Sequence, residues 1–215
     1  QSIQAQAILR PDSTDQVAEC LRRCHAAGQK VVPHGGITNL VQSAHTVPSD
    51  VVISLERLNE IEEVDSIGRT MTVQAGVPLQ VVQQEAEKYE LIFPVDLGAR
   101  GSCQIGGNVS TNAGGNRVIR YGMTRDNVLG LEAVLADGTV ISSLNRMIKN
   151  NAGYDLKHLF IGTEGTLGII TLLVLRLREA SISENTAFVA FENFENLTRF
   201  LKKACQDFEK NVSEF

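Results

Sequence analysis

Gly101-Ser102-Cys103-Gln104-Ile105-Gly106-Gly107-Asn108-Val109-Ser110-Thr111-Asn112-Ala113-Gly114-Gly115-Asn116 decides the fold, because these 16 residues carry no charged side chain. A stretch of that length built for solvent would be charged. One made of small neutral residues presses its backbone against something, either core or ligand. Two other stretches share the glycine density: Pro33-His34-Gly35-Gly36-Ile37-Thr38-Asn39 and Gly162-Thr163-Glu164-Gly165-Thr166-Leu167-Gly168. Each can present successive backbone N–H groups with no side chain in the way, a concavity suited to an anion such as a phosphate. Thr38, Ser102 and Thr111 add hydroxyl donors. Taken singly, a Gly-Gly pair is an ordinary turn. Three such stretches in one chain point to a shared ligand.

The familiar nucleotide motifs do not account for them. A Rossmann loop needs G-x-G-x-x-G between a strand and a helix. Gly162, Gly165 and Gly168 are spaced G-x-x-G-x-x-G instead, and the β-rich run Ile169-Ile170-Thr171-Leu172-Leu173-Val174 follows. No Gly-Lys-Ser/Thr occurs, which excludes a P-loop. The pattern favours backbone-driven binding of a diphosphate in a non-Rossmann frame.

Around these loops the chain reads as α+β. Pro11-Asp12-Ser13-Thr14-Asp15 starts a helix that carries Val17, Cys20, Leu21 and Cys24 at helical spacing and stops at Gly28. Val31–Pro33 and Val51–Leu55 read as strands, giving a compact N-terminal α/β lobe. A second lobe follows. Thr70–Ala75 and Gly168–Leu177 read as strands, and Pro78–Lys88 as a helix with Pro78 in its first turn. Val128–Leu135 and Thr139–Ser142 form a hairpin about Asp137-Gly138, and Phe194–Phe208 is an amphipathic helix. The glycine-rich stretches fall as loops at the junction of the two lobes.

Composition narrows the function classes. Net charge is −5 and aromatic residues are 5% with no Trp, which argues against a nucleic-acid partner. No apolar run is long enough for a transmembrane segment. Cys20, Cys24, Cys103 and Cys205 do not make a metal-ligand pattern, and Cys20 and Cys24, four apart on one helix face, read as a pair of buried thiols in a reducing compartment. His25, His45 and His158 read as surface or loop histidines.

The most specific blocks are Phe93-Pro94-Val95-Asp96-Leu97-Gly98, then Gly101-Ser102 through Gly106-Gly107-Asn108-Val109 and Thr111-Asn112-Ala113-Gly114-Gly115. Arg120-Tyr121-Gly122, Val128-Leu129-Gly130-Leu131-Glu132, Leu135-Ala136-Asp137-Gly138, Gly153-Tyr154-Asp155-Leu156 and Phe160–Gly168 follow in order. Carrying these, the sequence resembles the FAD-binding domain of the vanillyl-alcohol-oxidase-type (PCMH-type) flavoproteins over almost its whole length. Within them it is most similar to the dehydrogenases of D-2-hydroxyglutarate, D-lactate and glycolate. The resemblance implies a two-lobed, non-Rossmann α+β fold with FAD between the lobes. The expected segments are residues 1–57 and 58–180, the second with a mostly antiparallel sheet. Residues 181–215 would then begin the connection to a substrate domain outside this chain. The resemblance further implies that Pro33, Gly35, Gly36, Ile37, Thr38, Asn39 and Leu40 cradle the pyrophosphate. Pro94, Gly101, Ser102, Gly106, Gly107, Asn108, Thr111, Asn112, Gly114 and Gly115 would line the ribityl chain and isoalloxazine. Glu164, Gly165, Gly168 and Ile169 would close the adenosine side. Asn39, Gln42 and Ser43 depart from the glycines usual in the first loop. Some relatives attach FAD through a histidine that corresponds to Ile37, so FAD is expected here noncovalently.

The reaction so implied is oxidation of a small 2-hydroxy acid to the 2-oxo acid. Electrons would pass to an electron-transfer flavoprotein, a quinone or a cytochrome. The catalytic base and any divalent metal are expected in the C-terminal substrate domain, not here. Arg120 and Lys149 are candidate cationic neighbours, more apt for solvent or a phosphate. A cytoplasmic or, in a eukaryote, mitochondrial-matrix enzyme is expected, and a homodimer is compatible with the sequence. Two other readings stay open: a cofactor module inactive alone, and a same-fold NADPH-dependent reductase of the UDP-N-acetylenolpyruvoylglucosamine type.

Overall fold

The chain begins with a strand, a helix and two more strands. β1 (Ala7–Leu9), β2 (Val31–His34) and β3 (Val51–Ser54) form a parallel three-stranded sheet in the order β1-β3-β2, with α1 (Thr14–Ala26) between β1 and β2 in the chain. Ser13 caps α1, its Oγ accepting from the Gln16 N–H at 3.3 Å. The helix then buries Val17, Ala18 and Leu21. β2 lies at the sheet edge, where the missing N–H of Pro33 is tolerated. The computed structural model describes residues 3–208 and 211–212. Residues 1–2, 209–210 and 213–215, at the outer ends of the first and last expected segments, lie outside it.

The second layer holds β4 (Ile61–Asp65), β5 (Thr70–Gln74), α2 (Leu79–Glu87), β6 (Leu91–Ile92), α3 (Ile105–Ser110), α4 (Val118–Tyr121), β7 (Val128–Val134) and β8 (Val140–Ser143). α5 (Lys157–Phe160), β9 (Ile169–Arg176), β10 (Arg178–Glu179) and α6 (Phe194–Phe208) complete it. Five strands make an antiparallel sheet in the order β4-β5-β9-β7-β8, and β10 pairs with β6. Met71 and Val73, Leu131 and Ala133, and Leu173 and Leu175 are all essentially buried in this sheet. They share one core with Leu79 and Val82 of α2, Ile105 and Val109 of α3, and Val17 and Leu21 of α1. Each such burial of a Val, Leu, Ile or Met side chain stabilises by about 1.5–3 kcal/mol. The two-lobed α+β expectation therefore holds, with one apolar core running under both sheets.

Two contacts lock the layers on the α1 side. Glu132 Oε1 accepts from Thr14 Oγ1 at 2.7 Å and from Thr171 Oγ1 at 3.1 Å. The Asp137-Gly138 turn packs on α1 so closely that a Cβ on Gly138 (φ +85°) would stand 2.7 Å from the Ala18 carbonyl oxygen.

Several expectations are corrected. Pro78 caps α2 rather than sitting in its first turn. The uncharged stretch is not all loop: Ile105–Ser110 is helical as α3. β4 was not anticipated, because a register shift between Ile61 and Glu63 breaks its alternation. Cys20 and Cys24 are half-buried and Cys205 is exposed, so only Cys103 is a buried thiol.

Candidate cofactor-binding site

The three glycine-rich stretches meet. Loop 1 follows β2, loop 2 runs from residue 101 through α3 to Gly115, and loop 3 joins α5 to β9. A Cβ on Gly36 would stand 2.0 Å from Ser102 O, so loop 1 touches loop 2. A Cβ on Gly165 would stand 2.6 Å from Pro33 Cγ, so loop 3 touches the start of loop 1. Loops 2 and 3 are hydrogen-bonded, Gly162 N–H to Val109 O at 3.1 Å and Glu164 N–H to Ser110 O at 2.9 Å. Only glycine allows the first two approaches. Between the loops lies a cleft of about 680 Å³ lined from all three, a size usual for a small-molecule site.

Pro33, Gly35, Gly36, Ile37, Thr38, Asn39 and Leu40 line this cleft from loop 1. Gly106, Gly107, Asn108, Thr111, Asn112 and Gly114 line it from loop 2, and Glu164, Gly165, Gly168 and Ile169 from loop 3. Pro94, Gly101, Ser102 and Gly115 are not in its lining. Gly115 serves packing: at φ +77° a Cβ there would stand 2.0 Å from Asp96 O. Arg120 and Lys149 do not line it either. Arg120 stacks over the Tyr121 ring at 5.0 Å and lies 3.5 Å from Ser181 Oγ. Of the expected hydroxyl donors, Ser102 Oγ donates to Ala99 O at 3.3 Å and Thr111 Oγ1 to Gly107 O at 3.0 Å. Only the Thr38 hydroxyl is free to donate among the described residues. Leu97, Gly98, Ala99, Cys103 and Gln104 also line the cleft. All five sit in or beside quoted blocks, and Gln104 was legible as the polar side chain just before Gly106-Gly107.

The electrostatics are unusual for an anion site. Glu164 is the only formally charged side chain in the lining. Burial pushes the His34 pKa down, against the hydrogen bond from its Nε2 to Ala44 O at 2.9 Å, so the ring is neutral near pH 7. Burial also pushes the Cys103 thiol up, keeping it neutral. The backbone supplies the donors. The amides of Gly36, Ile37, Thr38, Asn39 and Leu40 have no hydrogen-bond partner among the described residues. Three non-glycine residues at the cleft adopt left-handed backbone, Ile37 at φ +53°, Asn112 at +47° and Glu164 at +54°. For β-branched Ile37 this is real strain, of a kind that gathers at ligand clamps. Two polar atoms of lining residues, Gln104 Oε1 and Asn108 Oδ1, are buried without a partner. A Cβ on Gly107 would meet nothing within 4 Å, so its space is open. Unpaired amides, orphaned amide oxygens and an open glycine face fit a large, partly anionic, hydrogen-bonding cofactor such as FAD.

A family model described as an FAD binding domain matches residues 5–143. The chain is 46% identical over 191 residues to a D-2-hydroxyglutarate dehydrogenase of Xanthomonas citri pv. viticola, covering 89% of this chain and 40% of that protein. It is 40% identical over 212 residues to the D-2-hydroxyglutarate--pyruvate transhydrogenase of Saccharomyces cerevisiae, covering 99% and 43%. A mitochondrial D-2-hydroxyglutarate dehydrogenase of Bos taurus is 45% identical over 190 residues, covering 88% and 35%. Among solved structures, alkyldihydroxyacetonephosphate synthase superposes with a TM-score of 0.73 at 25% identity, over 82% of this chain and 32% of that one. The chain thus spans about two fifths of the length of the curated relatives it matches. The unpaired loop amides, the open glycine face and the matched model agree, and the chain belongs to the FAD binding domain family.

Proposed function

We propose that this chain is the FAD-binding portion of a dehydrogenase that oxidises D-2-hydroxyglutarate, or a closely similar 2-hydroxy acid, to the 2-oxo acid. One observation carries the cofactor assignment: five consecutive residues with unpaired amides line a cleft whose lining has no cationic side chain. A diphosphate held there is held by main-chain N–H groups of Gly36 to Leu40. The curated relatives, named for D-2-hydroxyglutarate, support the substrate.

Bound FAD supplies the acceptor for the α-hydrogen of the hydroxy acid as hydride. The residues here do the holding. Gly107 leaves room for the cofactor, while Gln104 and Asn108 offer amide groups whose orphaned oxygens need a donor. Leu97, Ala99 and Ile169 give the cleft apolar walls that exclude water. Ile37 offers no nucleophile at the loop 1 position, so the cofactor is held noncovalently. We assign no base, carboxylate-gripping cation or metal ligand here. Among the described residues no cluster of His, Cys, Asp and Glu could hold a metal ion, and those groups belong to the length of the relatives this chain does not span. The electron acceptor is a flavoprotein, quinone or cytochrome of the compartment. No helix of the described residues is long and apolar enough to cross a membrane, and the Bos taurus relative is named as mitochondrial.

A visible spectrum of the purified protein with FAD, followed by addition of D-2-hydroxyglutarate, D-lactate or glycolate to the longest natural form, tests both parts. Bound flavin that bleaches fastest with D-2-hydroxyglutarate is expected. Bound flavin that none of the three reduces would remove the substrate assignment and leave the cofactor one.

A further inference from the structure

Arg125 does not line the cleft, yet it is bonded to both loops that close it. It belongs to the 3-10 turn Thr124–Asn127. Its main-chain N–H donates to Asn112 Oδ1 at 3.0 Å. Its guanidinium donates through Nη2 to Ile161 O at 2.6 Å, and through Nη1 to His158 O at 3.1 Å and His158 Nδ1 at 2.9 Å. Asn112 is a cleft-lining residue of loop 2 held at φ +47°. Ile161 leads directly into Gly162 (φ +88°), Glu164 (φ +54°) and Gly165 (φ +81°) of loop 3. A Cβ on Gly162 would come within 3.6 Å of both Arg125 Nη2 and Asn112 Cβ, so the guanidinium lies against the seam between the two loops.

A run of left-handed residues persists only where its surroundings over-determine it. Here the surroundings are one planar fork whose donors reach two successive turns of main chain. Arg125 makes no ion pair with a described residue, so its charge is spent on carbonyl oxygens and one imidazole nitrogen. Charge-assisted hydrogen bonds of this type are about twice as strong as neutral ones.

We propose that Arg125 is a positioning residue for the cofactor. It sets the backbone of Asn112 and of Ile161–Gly165 in the form that grips FAD, and it does so in full only while His158 is neutral. The inference rests on the reading of the cleft as an FAD site. A guanidinium can only donate, so His158 Nδ1 must accept. The ring proton then sits on Nε2, 3.3 Å from Asp155 Oδ2. A second proton on the imidazole would turn the accepting nitrogen into a donor facing a donor. Desolvation and then Lys157 push the His158 pKa down, Asp155 opposes them, Arg125 adds to the depression, and Asp126 opposes it. The ring is therefore neutral at pH 7.5, and its protonation is displaced below the ordinary histidine value.

The test titrates the full chain with FAD, following flavin fluorescence, at pH 7.5 and at pH 5.5. The unliganded proteins are melted in parallel. Wild type should bind FAD more weakly at the lower pH. Arg125→Lys offers an ammonium that cannot span the Ile161 and His158 acceptors at once. It should weaken FAD binding by about tenfold or more at pH 7.5, with little change in the melting of the unliganded chain. His158→Gln keeps an acceptor but does not titrate, so it should bind FAD as wild type does at pH 7.5 and lose the extra pH dependence. Arg125→Lys binding FAD within twofold of wild type, or His158→Gln retaining the wild-type pH profile, would overturn the proposal. If Arg125→Lys does not fold, the His158→Gln profile decides alone. Wild type that takes up no FAD at either pH is a different result, and defeats the reading of the cleft itself.

Discussion

Gly106 and Gly107 are neighbours in α3 with opposite reasons to be glycine. A Cβ on Gly106 would lie 2.6 Å from Ala75 Cβ and 2.9 Å from Ala75 O, so this residue lets α3 settle on the strand end below it. Gly107 faces open space in the cleft. Gly106→Ala should therefore destabilise the chain by about 1–3 kcal/mol, through overpacking, read as a lower urea midpoint. Gly107→Val should leave the urea midpoint close to wild type, since glycine is itself a poor helix former, and should abolish FAD retention on a desalting column. Yellow protein from Gly107→Val would remove this residue from the cofactor's path. The sequence shows the pair as equivalent, because only the tertiary contact tells a packing glycine from a ligand-facing one. Pro94, Gly101, Ser102 and Gly115 share these blocks yet lie outside the cleft lining, and the Gly115 contact with Asp96 O is visible only in three dimensions.

At the scale of elements, long strands and helices were legible and short ones were not. Phe194–Phe208 and the Asp137-Gly138 hairpin carry a full apolar period or a turn pair. α3 has six residues, two of them glycine, and shows no period to read. β4 carries a bulge, and β6 and β10 have two residues each. How the elements dock was likewise hidden, as the joint at Glu132 shows. Thr14 at the first turn of α1 and Thr171, 1% exposed on β9, both donate to Glu132 Oε1. Glu132→Ala leaves both hydroxyls without that acceptor. It should cost about 1–3 kcal/mol in urea unfolding, and Glu132→Gln, which keeps an oxygen there, should cost less. Equal losses for the two variants would mean that the carboxylate charge, and not the shared acceptor, holds the joint. His34, at the end of β2, makes loop 1 pH-sensitive. Its pKa is lowered in the folded chain by burial, so the unfolded chain takes up a proton first as pH falls below about 6.5. The contribution of neutral His34 is present above that pH and lost as pH drops toward the depressed folded value. The urea midpoint should fall between pH 7.5 and 5.5, and His34→Asn should flatten that fall. An unchanged slope would assign the acid sensitivity elsewhere.

Across the whole molecule, the cleft lies where loops from both layers meet. Loop 1 leaves the parallel sheet, while loops 2 and 3 belong to the antiparallel layer. The two layers share apolar core and the Glu132 joint on the α1 side. At the cleft they meet through glycine contacts and five unpaired amides. A ligand held by those amides and by Gly107, Asn108 and Gly165 bridges both layers, so its binding energy must appear as order in all three loops together. At a free FAD concentration 100 times its dissociation constant, the folded chain gains about 2.7 kcal/mol. That should raise the melting temperature by roughly 5–10 °C for a domain of this size. Hydrogen exchange places the gain. FAD should slow exchange in all three of residues 36–40, 107–115 and 162–168, with loop 1 changing most because its amides have no other partner. Protection confined to one of these segments would mean that the flavin sits against one layer, and that the convergence of the loops is packing without a shared ligand.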